Sequence, residues 1–155
     1  MEVYSDWCNR VIREINSYKD ALSKKEYKKY KLDLLLRMAK RVDGFYSYCG
    51  ECQMLQPEIT ELTQNLANLI QIPNKEERKS YFKKINNMVK HLQKQHKLIT
   101  EGQYFGIGML IGGGVGSALG AALDNPGVGT AIGIAIGLVA GRYLDDKAKK
   151  EGRVI

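Results

Sequence analysis

Charged residues are absent from two long stretches near the end of the chain. No Lys, Arg, Asp or Glu occurs in residues 102–123 or in residues 126–141. Proton-coupled and ion-coupled transport rely on such groups inside the membrane, so their absence argues against both activities. Elsewhere charge is plentiful, with 24 Lys and Arg against 17 Asp and Glu and a net charge of +7.

Motifs of catalysis and secretion are also missing. The sequence has no nucleophile elbow, Walker motif or dinucleotide fingerprint. Residues 112–116 are rich in glycine, but they follow no predicted strand and continue into a longer glycine series. The first 25 residues contain Glu2, Asp6, Glu14 and Asp20 and no apolar run, unlike a secretory signal. We therefore expect no enzymatic activity, and membrane insertion that depends on the C-terminal part.

Glycine, by contrast, is abundant and regularly placed in the uncharged stretches. Two apolar segments, residues 104–123 and 128–144, flank a short turn at residues 124–127. Each segment has a glycine at every fourth position, and a shift of 21 residues superposes the two sets. This pattern indicates an internal duplication. The eight glycines are Gly108, Gly112, Gly116, Gly120, Gly129, Gly133, Gly137 and Gly141.

A glycine at every fourth position leaves one face of a helix without side chains. In water such a helix is unfavourable, because each glycine costs about 0.8–1 kcal/mol relative to alanine. In lipid the backbone must satisfy its own hydrogen bonds, and a bare face lets two helices approach closely. Twenty residues span about 30 Å, close to the thickness of the hydrocarbon core. We predict a transmembrane helical hairpin; the alternatives are a soluble core hairpin and a flexible glycine-rich segment.

The composition of the chain changes at residue 102. Of the 16 glycines, 14 lie from Gly102 onward. We predict an all-α protein with a cytoplasmic helical domain at residues 1–102 and a glycine-zipper transmembrane hairpin with a basic tail at residues 103–155. Basic residues flank the hairpin on both sides, whereas its turn carries only Asp124. The positive-inside rule then places both termini in the cytoplasm and the turn outside.

Apolar residues recur at helical spacing through residues 1–102 and predict a bundle of about four helices. The third helix is expected to have Pro57 in its first turn. Pro73 should stop that helix, and Asn74 should cap the next one, which covers about residues 75–100.

The chain has only three cysteines and two histidines, and four of these five residues form two pairs. Cys49 and Cys52 form a Cys-x-x-Cys pair, and the only two histidines, His91 and His96, lie on the fourth predicted helix. Two thiolates and two imidazoles are a ligand set for tetrahedral zinc, which would stabilise a small bundle. Positions five apart on a helix point about 140° from each other, so both histidines can bind only if the helix tightens or kinks. A redox Cys-x-x-Cys and ordinary surface residues are the alternatives.

A short basic segment with interleaved tyrosines lies at the start of the second predicted helix. Such a segment is often only the solvated face of a helix. Its charge also suits phosphates, and lipid headgroups are favoured over nucleic acid because the chain has a predicted membrane hairpin and no nucleic-acid-binding motif. The lysines are Lys24, Lys25, Lys28, Lys29 and Lys31, and the tyrosines are Tyr27 and Tyr30.

The C-terminal third resembles the small bacterial glycine-zipper proteins with two transmembrane segments. The resemblance rests on the two glycine series, the Asp-Asn-x-Gly turn between them and the charged tail at residues 144–153. It implies a hairpin in a bacterial inner (cytoplasmic) membrane that self-associates, in some such proteins as a pore. It implies no catalysis. Residues 1–102 carry no such resemblance.

These observations indicate a non-enzymatic membrane protein with two candidate roles. In the first, several copies assemble into a homo-oligomeric pore, as in a toxin or effector regulated by the helical domain. In the second, the hairpin only anchors the helical domain, which recruits a protein partner or anionic lipid. The glycine series favours assembly, whereas the scarcity of polar residues that could line a pore favours the anchor.

Overall fold

A computed structural model describes residues 4–72 and 74–155, so the predicted helix stop at Pro73 lies outside the described residues. The described residues form helices and no strand, with one isolated parallel bridge between Ile99 and Val154. The predicted all-α class is therefore confirmed. The helices are α1 (Asp6–Ala21), α2 (Lys24–Lys29), α3 (Leu32–Phe45), α4 (Gly50–Gln64), α5 (Leu66–Gln71), α6 (Lys75–His96), α7 (Gln103–Ala122) and α8 (Pro126–Lys150).

The chain divides into two compact units, Met1–Leu92 and Gln93–Ile155. The division falls inside α6, ahead of the change in composition at residue 102. Each unit has its own source of stability: a side-chain core in the first, and close backbone packing in the second.

Apolar residues at helical spacing build the core of the first unit. The Ser5 hydroxyl begins α1 by accepting a hydrogen bond from the Cys8 N–H at 3.2 Å. Asn74 does the same for α6, where its side-chain oxygen accepts from the Glu76 N–H at 2.9 Å. Each helix then buries one stripe of side chains, as expected for helices that pack in a bundle. The buried residues include Val11, Ile15, Leu35, Met38, Val42, Ile59, Leu62, Ile85, Met88 and Leu92.

Several predicted helix boundaries are wrong, for identifiable reasons. The second predicted helix is two helices, α2 and α3, because Lys31 adopts a left-handed conformation with φ 54° between them. The third begins at Gly50, since Cys49 caps it, and Pro57 lies in its interior instead of its first turn. A proline at that position removes one backbone donor from the helix. The fourth helix, α6, ends at His96.

In the second unit, α7 and α8 form an antiparallel hairpin. Asn125 caps α8 by accepting the Val128 N–H at 3.2 Å, and Pro126 occupies its first turn. Both helices are long and apolar enough to cross a membrane, by length and composition. Few of their residues are buried in the structure, whereas the core helix of a soluble protein would be mostly buried.

The two helices of the hairpin meet through their glycines. A Cβ atom added to Gly116 would lie 2.8 Å from the Cα of Gly133, and one added to Gly133 would lie 2.7 Å from the Cα of Gly116. These separations are too short for any side chain, so the close approach requires glycine. All eight regularly spaced glycines meet the backbone of the opposite helix or its cap in this way. Among the described residues, a Cβ on Gly106 or Gly114 would meet no atom within 4 Å.

Polar contacts tie together the open end of the hairpin. Gly102 precedes α7 and has no side chain with which to cap it. Instead the Asp145 carboxylate, on α8, accepts hydrogen bonds from the N–H groups of Tyr104 and Phe105 at 3.0 and 2.9 Å. The N–H of Ile155 also donates to the Ile99 carbonyl at 2.8 Å. The two ends of the second unit are thereby joined.

Candidate metal centre

The two paired cysteines lie at the N-terminus of α4. Cys49 is the N-cap residue, and its sulfur accepts a hydrogen bond from the Cys52 N–H at 3.4 Å. Cys52 lies in the first turn and is fully buried, whereas Cys49 is half-buried. A helix N-terminus favours negative charge, so this position suits thiolate ligands. None of the three cysteines forms a disulfide in the structure.

The two histidines lie on α6, and His91 faces the cysteines directly. Its Nε2 atom lies 3.5 Å from the Cys49 sulfur and 3.4 Å from the Cys52 sulfur. His96 is the last residue of α6, and Lys97 after it has φ 55°. The four ligand atoms of Cys49, Cys52, His91 and His96 all lie within 4.8 Å of one another. The structure therefore brings together the four predicted ligands in a cluster that could hold a metal ion.

The expected tightening of the helix between the two histidines is absent from this part of α6. Residues 91–96 are α-helical throughout, with no 3₁₀ or π turn among them. The imidazole side chains are long enough to converge beside the helix, although their Cα–Cβ bonds point in different directions. Both candidate ligands thus lie on one continuous α-helical segment.

The separations between ligand atoms fit tetrahedral coordination. Metal–sulfur bonds of about 2.3 Å and metal–nitrogen bonds of about 2.0–2.1 Å place S and N about 3.6 Å apart in a tetrahedral zinc site. The His91 nitrogen is 3.4 and 3.5 Å from the two sulfurs. These two separations are therefore close to those that such a site requires.

Burial controls the protonation of Cys52. It raises the pKa of the Cys52 thiol from 9.0 to about 12, and the neighbouring Cys49 adds to the effect. A thiol with this pKa is protonated near neutral pH. A metal ion must therefore displace its proton, which makes metal affinity depend on pH.

Glu51 is a member of the site that sequence reasoning missed. Its Oε2 atom lies 2.8 Å from Nδ1 of His91. The residue is one of many acidic residues and has no periodic pattern, so only its place between Cys49 and Cys52 could have drawn attention to it. Cys8, the third cysteine, lies in the core of the first unit, and the metal cluster does not include it.

The basic segment is exposed, but its tyrosines are not. Tyr27 and Tyr30 are buried, and the ring of Tyr30 makes an edge-to-face contact with Tyr81 at a centroid separation of 6.2 Å. The tyrosines therefore offer no surface on which a base could stack. The five lysines lie on α2 or directly after it, and all are exposed; they are Lys24, Lys25, Lys28, Lys29 and Lys31. Binding of lipid headgroups by these lysines stays a prediction.

Comparison with known proteins adds no relative. No protein-family model, curated protein or solved structure matches the chain. The resemblance of the C-terminal third to glycine-zipper proteins therefore stays a prediction.

Proposed function

We propose that this protein is a non-enzymatic membrane anchor, whose hairpin crosses the bilayer and whose helical domain contains a structural zinc ion. The observation that carries the proposal is the use of all eight regular glycines within one chain. Each helix has one such face, and the two faces cover each other. The regular glycines therefore allow α7 and α8 of one chain to pack closely. Their spacing can be explained without contacts between several copies.

The outer surface of the hairpin supports a lipid environment. Leu110, Leu123 and Val139 are 76%, 80% and 73% exposed, and most neighbouring aliphatic side chains are exposed with them. In water such a surface costs about 25 cal/mol per Å² and promotes aggregation, whereas in lipid it costs nothing. The aromatic residues Tyr104 and Tyr143 lie at the open end of the hairpin, where a membrane–water interface would be.

Zinc is the metal that suits the ligand set of the cluster. Two cysteines and two histidines in a closed, tetrahedral arrangement are typical of structural zinc sites. Such an ion would hold the start of α4 to His91 on α6. It would add binding free energy to a small bundle that otherwise relies mainly on its core.

The proposed topology places both termini in the cytoplasm, where the helical domain would recruit a protein partner or anionic lipid. The basic residues that flank the hairpin support this orientation. The exposed lysines of α2 support anionic lipid as one of the ligands, because lysine near a membrane surface is attracted to anionic headgroups.

Reconstitution in phospholipid vesicles that contain a dye tests the anchor. We expect the wild type to resist alkaline extraction without releasing dye. Gly133→Leu should lower the thermal stability of the hairpin, because its side chain would displace the backbone of Gly116. Gly114→Leu is the matched control, since it also removes a helical glycine but at a position with open space. Extraction of the wild type at alkaline pH would contradict insertion.

A self-associating pore is the second candidate, and one observation favours it. A groove of about 600 Å³ runs along one face of the hairpin, lined by aliphatic side chains and glycines, among them Ile111, Val115, Ile132 and Ile136. A helix of another copy could occupy it. Dye release by the wild type that Gly133→Leu abolishes and Gly114→Leu retains would favour the pore over the anchor.

A further inference from the structure

We propose that Glu51 orients His91 for metal binding, so that Nε2 is the atom that coordinates the ion. This inference rests on the proposed zinc site and adds to it a positioning residue outside the four ligands. It predicts that Glu51 sets the metal affinity of the site although it does not touch the metal.

The geometry assigns the two nitrogens of His91 to different tasks. Nδ1 lies 2.8 Å from the Glu51 carboxylate. Nε2, on the other side of the ring, lies 3.4 Å from the Cys52 sulfur and 3.5 Å from the Cys49 sulfur. A neutral imidazole has one N–H and one lone pair. When Nδ1–H donates to the carboxylate, the lone pair of Nε2 is directed towards the two sulfurs, where a metal would lie.

The sequence around Glu51 makes this contact specific. Glu51 lies between the two cysteines in the first turn of α4, so the segment that supplies both thiolates also supplies the carboxylate. The His91 side chain is only 4% exposed, whereas that of Glu51 is 60% exposed. The imidazole of His91 is therefore buried, and the carboxylate of Glu51 contacts it from the solvent-exposed side. Partners of this kind fix the ring orientation and increase the basicity of the ligand.

A simpler role for Glu51 would be stabilisation of α4. An acidic residue in the first turn interacts favourably with the helix N-terminus, whatever it does for His91. That role would change the stability of the apoprotein but not the tautomer of His91. The two roles can therefore be separated by measuring the tautomer and the zinc affinity together with the apoprotein melting temperature.

The test uses the full chain in detergent micelles, stripped of metal by a chelator and titrated with zinc against a competing indicator. Cobalt(II) titration reports the coordination geometry, and ¹H–¹⁵N correlation spectra report the tautomer of His91. We expect Glu51→Ala to weaken zinc binding by about 10–100-fold. Glu51→Gln should lose less affinity, because its amide oxygen still accepts a hydrogen bond from Nδ1. Glu58→Ala, which removes another acidic side chain from α4, is the matched control and should leave the affinity unchanged.

The outcomes separate this inference from the zinc site on which it rests. No zinc binding by the wild type would overturn the site and the role of Glu51 together. Zinc binding that Glu51→Ala leaves unchanged, with Nδ1 still protonated, would overturn the role of Glu51 alone. Coordination through Nδ1 in the zinc-loaded wild type would also overturn it. Weaker zinc binding in Glu51→Ala, with an altered tautomer and an unchanged apoprotein melting temperature, would establish Glu51 as a positioning residue.

Discussion

Cys8 and Tyr81 are buried core residues whose protonated forms are favoured by the folded first unit. Burial raises the pKa of Cys8 from 9.0 to about 11, and the nearby Asp43 carboxylate adds to the effect. Burial also raises the pKa of Tyr81, whose hydroxyl donates to the Tyr30 carbonyl at 2.8 Å. In the unfolded chain both groups lose their protons at lower pH. Their stabilising contribution is therefore complete below about pH 9 and is lost as the pH rises further.

We predict that the free energy of unfolding of the first unit falls between about pH 9 and pH 11, and that Cys8→Ala makes the fall shallower by up to about 2.7 kcal/mol. The measurement is urea unfolding of both proteins across this range. The slope with pH is diagnostic, since the smaller side chain lowers stability equally at every pH. Parallel slopes in the wild type and the variant would contradict the assignment to Cys8.

At the scale of elements, Asp145 caps α7 from the partner helix. Its carboxylate accepts two backbone N–H groups, from Tyr104 and Phe105, at a helix start that has no cap of its own. The repeat of 21 residues aligns Asp145 with Asp124, next to Asn125, which caps α8. The start of each helix is therefore capped by a polar side chain. Asn125, directly before α8, caps α8, whereas Asp145, within α8, caps α7.

We predict that Asp145→Ala destabilises the start of α7 by about 1.4 kcal/mol, because two charge-assisted hydrogen bonds are lost. Amide hydrogen exchange at Tyr104 and Phe105 should then accelerate about tenfold, as this free energy implies. Asp146→Ala removes the next carboxylate, which is exposed, and serves as the control. Equal exchange rates in the two variants would show that Asp145 does not cap α7.

Across the whole molecule, features that a sequence pattern marks could be predicted, and features that depend on one unpatterned contact or backbone conformation could not. The hairpin could be predicted from the length of the two uncharged stretches and from the spacing of their glycines. The metal ligands could be predicted because the chain has one Cys-x-x-Cys pair and only two histidines. The break between α2 and α3 depends on the left-handed Lys31, which no sequence pattern marks. The early start of α4 depends on the Cys49 cap, and the role of Glu51 depends on a contact with His91, 40 positions away in the sequence.

Metal removal should affect the helices that carry the candidate ligands, α4 and α6, and leave the hairpin of α7 and α8 unchanged. We predict that zinc at about 100 times its dissociation constant stabilises the helical domain by about 2.7 kcal/mol, because the ion binds only the folded chain. Hydrogen exchange should accelerate in α4 and the second half of α6 when a chelator removes the metal, while α7 and α8 stay protected by their glycine contacts. Cys49→Ser, which removes one ligand, should abolish the zinc effect.

The pattern of exchange decides what the metal does. If the chelator accelerated exchange equally in the wild type and in Cys49→Ser, zinc would be acting elsewhere than at the cluster. If α7 and α8 also lost protection on metal removal, the hairpin would depend on the metal, and the glycine contacts would not be sufficient to close it. Loss of protection confined to α4 and α6 would place the metal-dependent stability in the helical domain. A hairpin that stays closed without metal is the behaviour expected of an anchor.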